Sequence, residues 1–162
     1  MLRKSSIILL GLIIIVVSTG CINKHFSLVG RTVTNSDLID LKPNKAVNGE
    51  WKTNDLRILY NAEIKNNELV INGEGHFTRR IQNNFYFVKS FFIQVFFVDN
   101  KGSILASDNL SSAVNNTERM IDVKRVLPLP EETQAFTFRY HGEVFSTDGK
   151  DMNSLKIFRF PN

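Results

Sequence analysis

Three histidines are the side chains of this sequence best suited to acid–base or metal chemistry. They stand far apart, at positions 25, 76 and 141. A histidine metal centre or a histidine general base needs partner side chains within bonding distance, and this spacing supplies none locally. Only a fold that brought distant segments together could make a histidine site.

Other catalytic and metal-binding motifs are lacking in the sequence. It has no glycine-rich phosphate loop, no Gly-x-Ser-x-Gly elbow and no pair of cysteines that could hold zinc. A calcium loop beginning at Asp148 would place ligands at Lys150 and Met152, which do not bind calcium, so this segment predicts a turn. We therefore expect a non-enzymatic protein with no metal and no cofactor.

The only cysteine, Cys21, follows the one long apolar run of the chain. Arg3 and Lys4 precede the apolar residues 7–17, and three small residues separate this run from the cysteine. As a helix the run would span about 16 Å, well short of the roughly 30 Å hydrocarbon core of a membrane. Residues 1–20 therefore predict a cleaved export leader, with a permanent membrane span over 7–22 as the alternative.

The stretch Val17-Ser18-Thr19-Gly20-Cys21 resembles the lipobox of bacterial lipoproteins, with Ser18 at the position where leucine is commonest. The resemblance implies lipidation of the Cys21 sulfur, cleavage before Cys21 and attachment of the mature protein to a bacterial cell membrane. Ile22 follows where aspartate would imply retention in the inner membrane, so the resemblance favours the outer membrane if the cell has one. An ordinary secretory leader followed by a free cysteine is the alternative.

The composition of the chain is typical of one globular domain after this leader. Hydrophobic residues make up 43% of the chain and charged residues 22%, which excludes global disorder. The net charge of the chain is +4, and because Arg3 and Lys4 belong to the leader, the remaining 142 residues carry +2. This excess is too small and too scattered to indicate nucleic-acid binding.

Polarity patterns predict an all-β domain over 50–162, preceded by a flexible tether over 21–49 in which 29–33 could form a short strand. From Leu56 onward apolar and polar residues alternate with a period of two, as in a half-buried strand. The pair Asn66-Asn67 then predicts a hairpin turn. The residues 119–127 could form a short helix or a strand, and the prolines that follow favour the strand.

The densest apolar segment runs from Phe85 to Val98 and is apolar on both faces of the predicted strand. Its second face, represented by Val88, Phe92 and Phe96, requires a cover, since a sandwich strand normally has one wet face. The cover could be a partner protein or the protein's own N- or C-terminal segments. We therefore identify these three residues as a candidate partner or cover surface.

Residues 56–161 resemble small bacterial envelope lipoproteins with immunoglobulin-like sandwich domains. The stretches that carry the likeness are "VFFVDNKGSIL", "VLPLPEETQAFTFRYHG" and "FRFP". The resemblance implies an antiparallel immunoglobulin-like β-sandwich of about seven to eight strands and no shared active site.

These patterns together predict a lipid-anchored, non-enzymatic binding or assembly module of the cell envelope. Its partners would be the membrane, through the N-terminal lipid, and another envelope protein; the oligomeric state is left open. Two alternatives remain. One is a hydrolase of envelope polymers with His76 or His141 in a cleft, and the other is a carrier of a small apolar ligand between the two sheets.

Overall fold

The computed structural model describes residues 28–34, 37–111, 114–146 and 153–160. The predicted leader, the predicted lipid attachment at Cys21, His25 and most of the predicted turn after Ser146 lie outside the described residues and stay predictions. In the part that is described, no helix is long and apolar enough to cross a membrane.

Nine strands and one short helix make up the described part of the chain. They are β1 (Ile39–Asp40), β2 (Val47–Lys52), β3 (Leu56–Lys65), β4 (Glu68–Phe77), α1 (Arg79–Gln82), β5 (Phe87–Val98), β6 (Ile104–Asn109), β7 (Ile121–Pro128), β8 (Ala135–Phe145) and β9 (Ser154–Arg159).

The strands form two antiparallel sheets that pack face to face. The first sheet has the order β6-β5-β8, and the far edge of β8 is shared by β1 at one end and β9 at the other. The second sheet has the order β2-β3-β4-β7. The chain crosses between the sheets after β1, β4, β6 and β7, and the last three crossings are those of immunoglobulin-like sandwiches. The prediction of an all-β sandwich is confirmed.

The predicted hairpin between β3 and β4 is present. Asn66 and Asn67 form its two-residue turn with φ values of 50° and 61°, the left-handed backbone that a type I′ turn requires. Asparagine tolerates this conformation better than most residues. The turn therefore sets a register in which Leu56 pairs with Phe77 at the far end of the hairpin.

Aromatic side chains fill the space between the sheets. Tyr60 of β3 meets Phe136 and Phe138 of β8, with ring centroids 5.8 Å and 5.5 Å apart. Trp51 of β2 approaches Phe138 edge-on at 5.7 Å. Such pairs add about 0.5–1.5 kcal/mol each to the free energy gained by burying their area. The interior is thus occupied by side chains, which does not favour the small-ligand carrier.

A buried polar cluster joins the two sheets at one end. The Tyr140 hydroxyl of β8 donates to Oδ2 of Asp55, which precedes β3, at 2.8 Å, and lies 3.1 Å from the Thr53 hydroxyl. The other carboxylate oxygen of Asp55 pairs with the guanidinium of Arg80. Burial is the main cause that raises the pKa of Tyr140. The hydroxyl therefore stays protonated and available as a donor.

The described part of the predicted tether belongs to the fold. β1 and β2 both contain residues from 21–49, and they pair with β8 and β3 respectively. The sequence does not predict these strands because the apolar residues of this segment are isolated and do not recur with a period of two. The sandwich accordingly starts before residue 50 and has nine described strands rather than seven to eight.

Residues 28–34 are fixed to the start of β6. The Gly30 N–H donates to Ile104 O at 2.8 Å, and the Val33 N–H donates to Gly102 O at 2.8 Å. The Val33 side chain is buried in a small apolar cluster with Phe96 on the outer face of the first sheet. Backbone pairing and apolar packing thus hold this segment in place together.

Candidate functional site

The three residues of the predicted cover surface, Val88, Phe92 and Phe96, do not share one environment. Val88 is 8% exposed and belongs to the core between the sheets, while Phe96 is 2% exposed under the N-terminal segment. Phe92 is 43% exposed on the outer face of the first sheet. Only Phe92 therefore remains accessible to a partner.

A β-bulge explains the position of Val88. Val88 pairs with Val144 of β8, but the next step on β8, Glu143, pairs with Ser90. Lys89 is the extra residue of the bulge. An extra residue in one strand moves the side chains that precede it to the opposite face of the sheet from the one that simple alternation predicts. Val88 consequently faces inward although simple alternation would place it with Phe92.

The protein's own N-terminal segment covers Phe96. Val33 packs with Phe96, Val98 and Ile104, and Leu28 and Leu38 lie at the edge of this cluster. This is one of the two covers that the sequence left open for the second face of β5. The cover ends before Phe92, so the outer face of the first sheet is left uncovered there among the described residues.

Three aromatic side chains form a row across this uncovered part. Phe92 of β5 is in register with His141 of β8, which is in register with Phe158 of β9. The rings of Phe92 and His141 are stacked, with centroids 5.0 Å apart and planes inclined by 23°. Phe158 is 62% exposed, the most exposed large apolar side chain in the described residues.

Phe160 extends the row beyond the end of β9. Its ring lies 5.8 Å from that of Phe158 and is 41% exposed. The guanidinium of Arg139 lies 4.0 Å from the centroid of Phe160 and 5.8 Å from that of Phe96, in cation–π contact with both. We call Phe92, His141, Phe158 and Phe160 the aromatic row.

The aromatic row is neutral, with a cation at its side. Partial burial lowers the pKa of His141, and the positive charge of Arg139 lowers it further. The ordinary histidine pKa is already about 6.5, so the imidazole is uncharged at pH 7. His141 therefore presents an aromatic ring rather than a charge, and Arg139 supplies the positive group.

The orientation of the rings decides what the aromatic row can contact. Phe92 and His141 cover each other's faces, and Arg139 covers a face of Phe160. These contacts occupy one face of each of the three rings, whereas a flat saccharide stacks on open ring faces. Exposed apolar side chains in such a row fit a complementary apolar pocket, as aromatic anchors do in protein interfaces.

The two described histidines lack the geometry of a general base. His141 is exposed and has no carboxylate or hydroxyl partner in the described part of the chain. His76 Nε2 lies 3.5 Å from Glu74 Oε2, beyond the usual range of about 2.6–3.2 Å for a catalytic hydrogen bond. Within the same described ranges, no three His, Cys, Asp or Glu residues form a group that could hold a metal.

The sequence identified one residue of the aromatic row as a surface and missed the others. In the sequence His141 is a candidate only for catalysis, and Phe158 and Phe160 enter only through the stretch "FRFP". The available signal is the shared phase of Phe158 and Phe160, which predicts that both lie on one face of an extended chain. The pairing of β5 and β9 with the two edges of β8 could not be read from alternation.

No known protein family, characterised protein or solved structure shows significant similarity to this chain.

Proposed function

We propose that this protein is a lipid-anchored, non-enzymatic binding module of the bacterial cell envelope, and that the aromatic row is its contact surface for another envelope protein. The observation that supports this most is the exposure of three phenylalanines around His141 on one sheet face. Single exposed apolar residues are ordinary, but a contiguous set on a flat sheet marks an interaction site.

The partner surface is expected to be an apolar pocket with an acidic rim. The pocket would receive the side chains of Phe92 and Phe158, and the rim would face Arg139 at the side of the aromatic row. Lys156, exposed on the same face of β9, adds a second positive charge. Fully burying an exposed phenylalanine contributes about 1.5–3 kcal/mol, so two or three anchors are expected to supply a large part of the binding free energy.

The membrane attachment in this proposal rests on the lipobox resemblance at Cys21. Two or three acyl chains at about 0.8 kcal/mol per buried methylene hold a protein durably, whereas one chain exchanges. Cys21→Ser is expected to lose the lipid, to keep residues 1–20 uncleaved and to leave the outer-membrane fraction where there is one. Residues 1–20 still present on the membrane-bound wild type would refute lipidation.

Site-specific photo-cross-linking tests the contact surface. A benzophenone amino acid at position 158 should give one heterologous adduct in intact cells. The same probe at Val126, equally exposed on the other sheet, should not give it. Phe160→Ala should reduce the adduct at 158 by about tenfold. Equal adducts at both positions, no adduct at 158, or an adduct of twice the protein's own mass would contradict a heterologous partner at the aromatic row.

A further inference from the structure

A second group of side chains lies on the outer face of the second sheet. Lys52 of β2 is in register with Arg57 of β3, and Arg57 is in register with His76 of β4. Arg79 of α1 joins this row at the end of β4. Because α1 follows β4 directly, its first residue is brought beside the same end of the sheet.

These four side chains line one groove, completed by Phe77, Thr78 and Gln82, with a volume of about 550 Å³. We call it the cationic groove. Three of its lining residues carry a permanent positive charge, and none carries a carboxylate. The Thr78 hydroxyl donates to Asn54 O at 2.7 Å, and Gln82 Nε2 donates one proton to Thr117 O at 3.1 Å. The second amide proton of Gln82 can donate to an oxygen atom placed among the cations.

The positive charges of the cationic groove are incompletely compensated. Arg57 Nε lies 3.9 Å from Glu50 Oε1, too far for a hydrogen bond, and both side chains are almost half exposed. Lys52 and Arg79 form no ion pair with the described residues. Arg80 behaves differently from its neighbour Arg79, because its guanidinium turns away to the buried Asp55.

This arrangement costs folding free energy unless an anion is present. Like charges directly opposite each other on adjacent strands destabilise a sheet, and Lys52 stands opposite Arg57. The next row of the same face contains two acidic residues, Glu50 and Glu74. Positive and negative side chains therefore lie in separate rows of this face and do not alternate within one row. The separation leaves one end of the sheet positive.

We propose that the cationic groove binds a phosphate group. Arginine offers a planar fork of donors that matches phosphate oxygens, and lysine adds a point charge. A phosphate would accept from Arg57 and Arg79, and Lys52 and the Gln82 amide line the same groove. The group could belong to a soluble phosphate compound or to an anionic lipid headgroup. The inference is independent of the aromatic row, which lies on the opposite sheet.

Calorimetric titration of the full chain in neutral detergent micelles tests the proposal, with inorganic phosphate as the probe. We expect saturable binding that weakens by about tenfold in Lys52→Gln/Arg57→Gln and also in Arg79→Gln. Arg79 makes no side-chain contact that the fold requires, so its replacement separates binding from folding. The matched control is Lys124→Gln/Arg125→Gln, which removes two exposed charges from β7 of the same sheet and should bind as the wild type does.

The second arm of the experiment adds phosphatidylglycerol to the micelles. Weaker phosphate binding in these micelles identifies the lipid headgroup as a ligand of the same groove, and unchanged binding identifies soluble phosphate. Binding of the wild type to the anionic micelles alone, lost in Arg79→Gln, would also support the groove as a headgroup site. The proposal is overturned if the wild type responds to neither probe, if the groove variants bind within about twofold of the wild type, or if the control weakens equally.

Discussion

Replacing Tyr140 by phenylalanine removes the hydroxyl that joins the two sheets through its contacts with Asp55 and Thr53. The ring remains in the core beside Trp51 and Phe91, so the change removes only the hydroxyl. That hydroxyl donates at 2.8 Å to the buried carboxylate of Asp55. A hydrogen bond to a charged group contributes about 1.5–3 kcal/mol to stability.

The expected loss lies near the lower end of this range. Asp55 keeps its ion pair with Arg80 in the variant, so the carboxylate is not left without any partner. We expect Tyr140→Phe to lower the free energy of unfolding by about 1.5–2 kcal/mol. With a urea m-value of about 1–3 kcal/mol/M, the midpoint of unfolding should fall by about 1 M.

Urea unfolding followed by the fluorescence of Trp51, the only tryptophan, measures this loss. Tyr86→Phe is the matched control, because Tyr86 is exposed and its hydroxyl has no partner in the described residues; we expect a change of less than about 0.5 kcal/mol. In a double-mutant cycle with Asp55→Asn, the coupling energy should exceed about 0.5 kcal/mol. Equal midpoints for the two tyrosine variants would refute the role of the Tyr140–Asp55 bond.

Two further predictions concern alkaline pH and the β3–β4 turn. Burial raises the pKa of Tyr140, so above pH of about 10 the unfolded chain loses this proton first and stability falls as pH rises. Tyr140→Phe should make the decline between pH 10 and 11 shallower by up to about 1.4 kcal/mol, as measured by urea unfolding at each pH. Asn67→Ala should lower the free energy of unfolding by about 1 kcal/mol, because the φ of 61° at this position disfavours alanine. Asn67→Gly should not lower it. An equal loss of unfolding free energy in the two variants would contradict the left-handed turn.

Local patterns in the sequence were sufficient for the central strands of the sandwich. Alternation identified β3 and β4, the Asn66-Asn67 pair identified their turn, and aromatic density identified β5. Each of these signals comes from residues close together in the chain. The prolines after residues 119–127 favoured a strand over a helix there, and the structure has β7 at Ile121–Pro128.

Features that depend on pairing between residues far apart in the chain could not be predicted from the sequence. The bulge at Lys89 places Val88 on the inner face of the sheet, and no residue near Val88 in the sequence indicates a bulge. Val33 is buried only because Phe96 and Val98 of β5 and Ile104 of β6 form an apolar cluster against which it packs. Three of the four residues of the aromatic row were missed as a surface for the same reason, because Phe92 and Phe158 are 66 positions apart and are joined only through β8.

The attachment of residues 28–34 to β6 has a mechanical consequence if Cys21 carries the lipid as we propose. Six residues lie between Cys21 and Leu28, and the seven Cα–Cα steps of a fully extended chain span at most about 25 Å. A pull on the domain away from the membrane would therefore reach the folded structure after little extension. Its first load would fall on the Gly30–Ile104 and Val33–Gly102 hydrogen bonds. Peeling this segment from the sheet would uncover Phe96, so tension would enlarge the apolar surface beside the aromatic row.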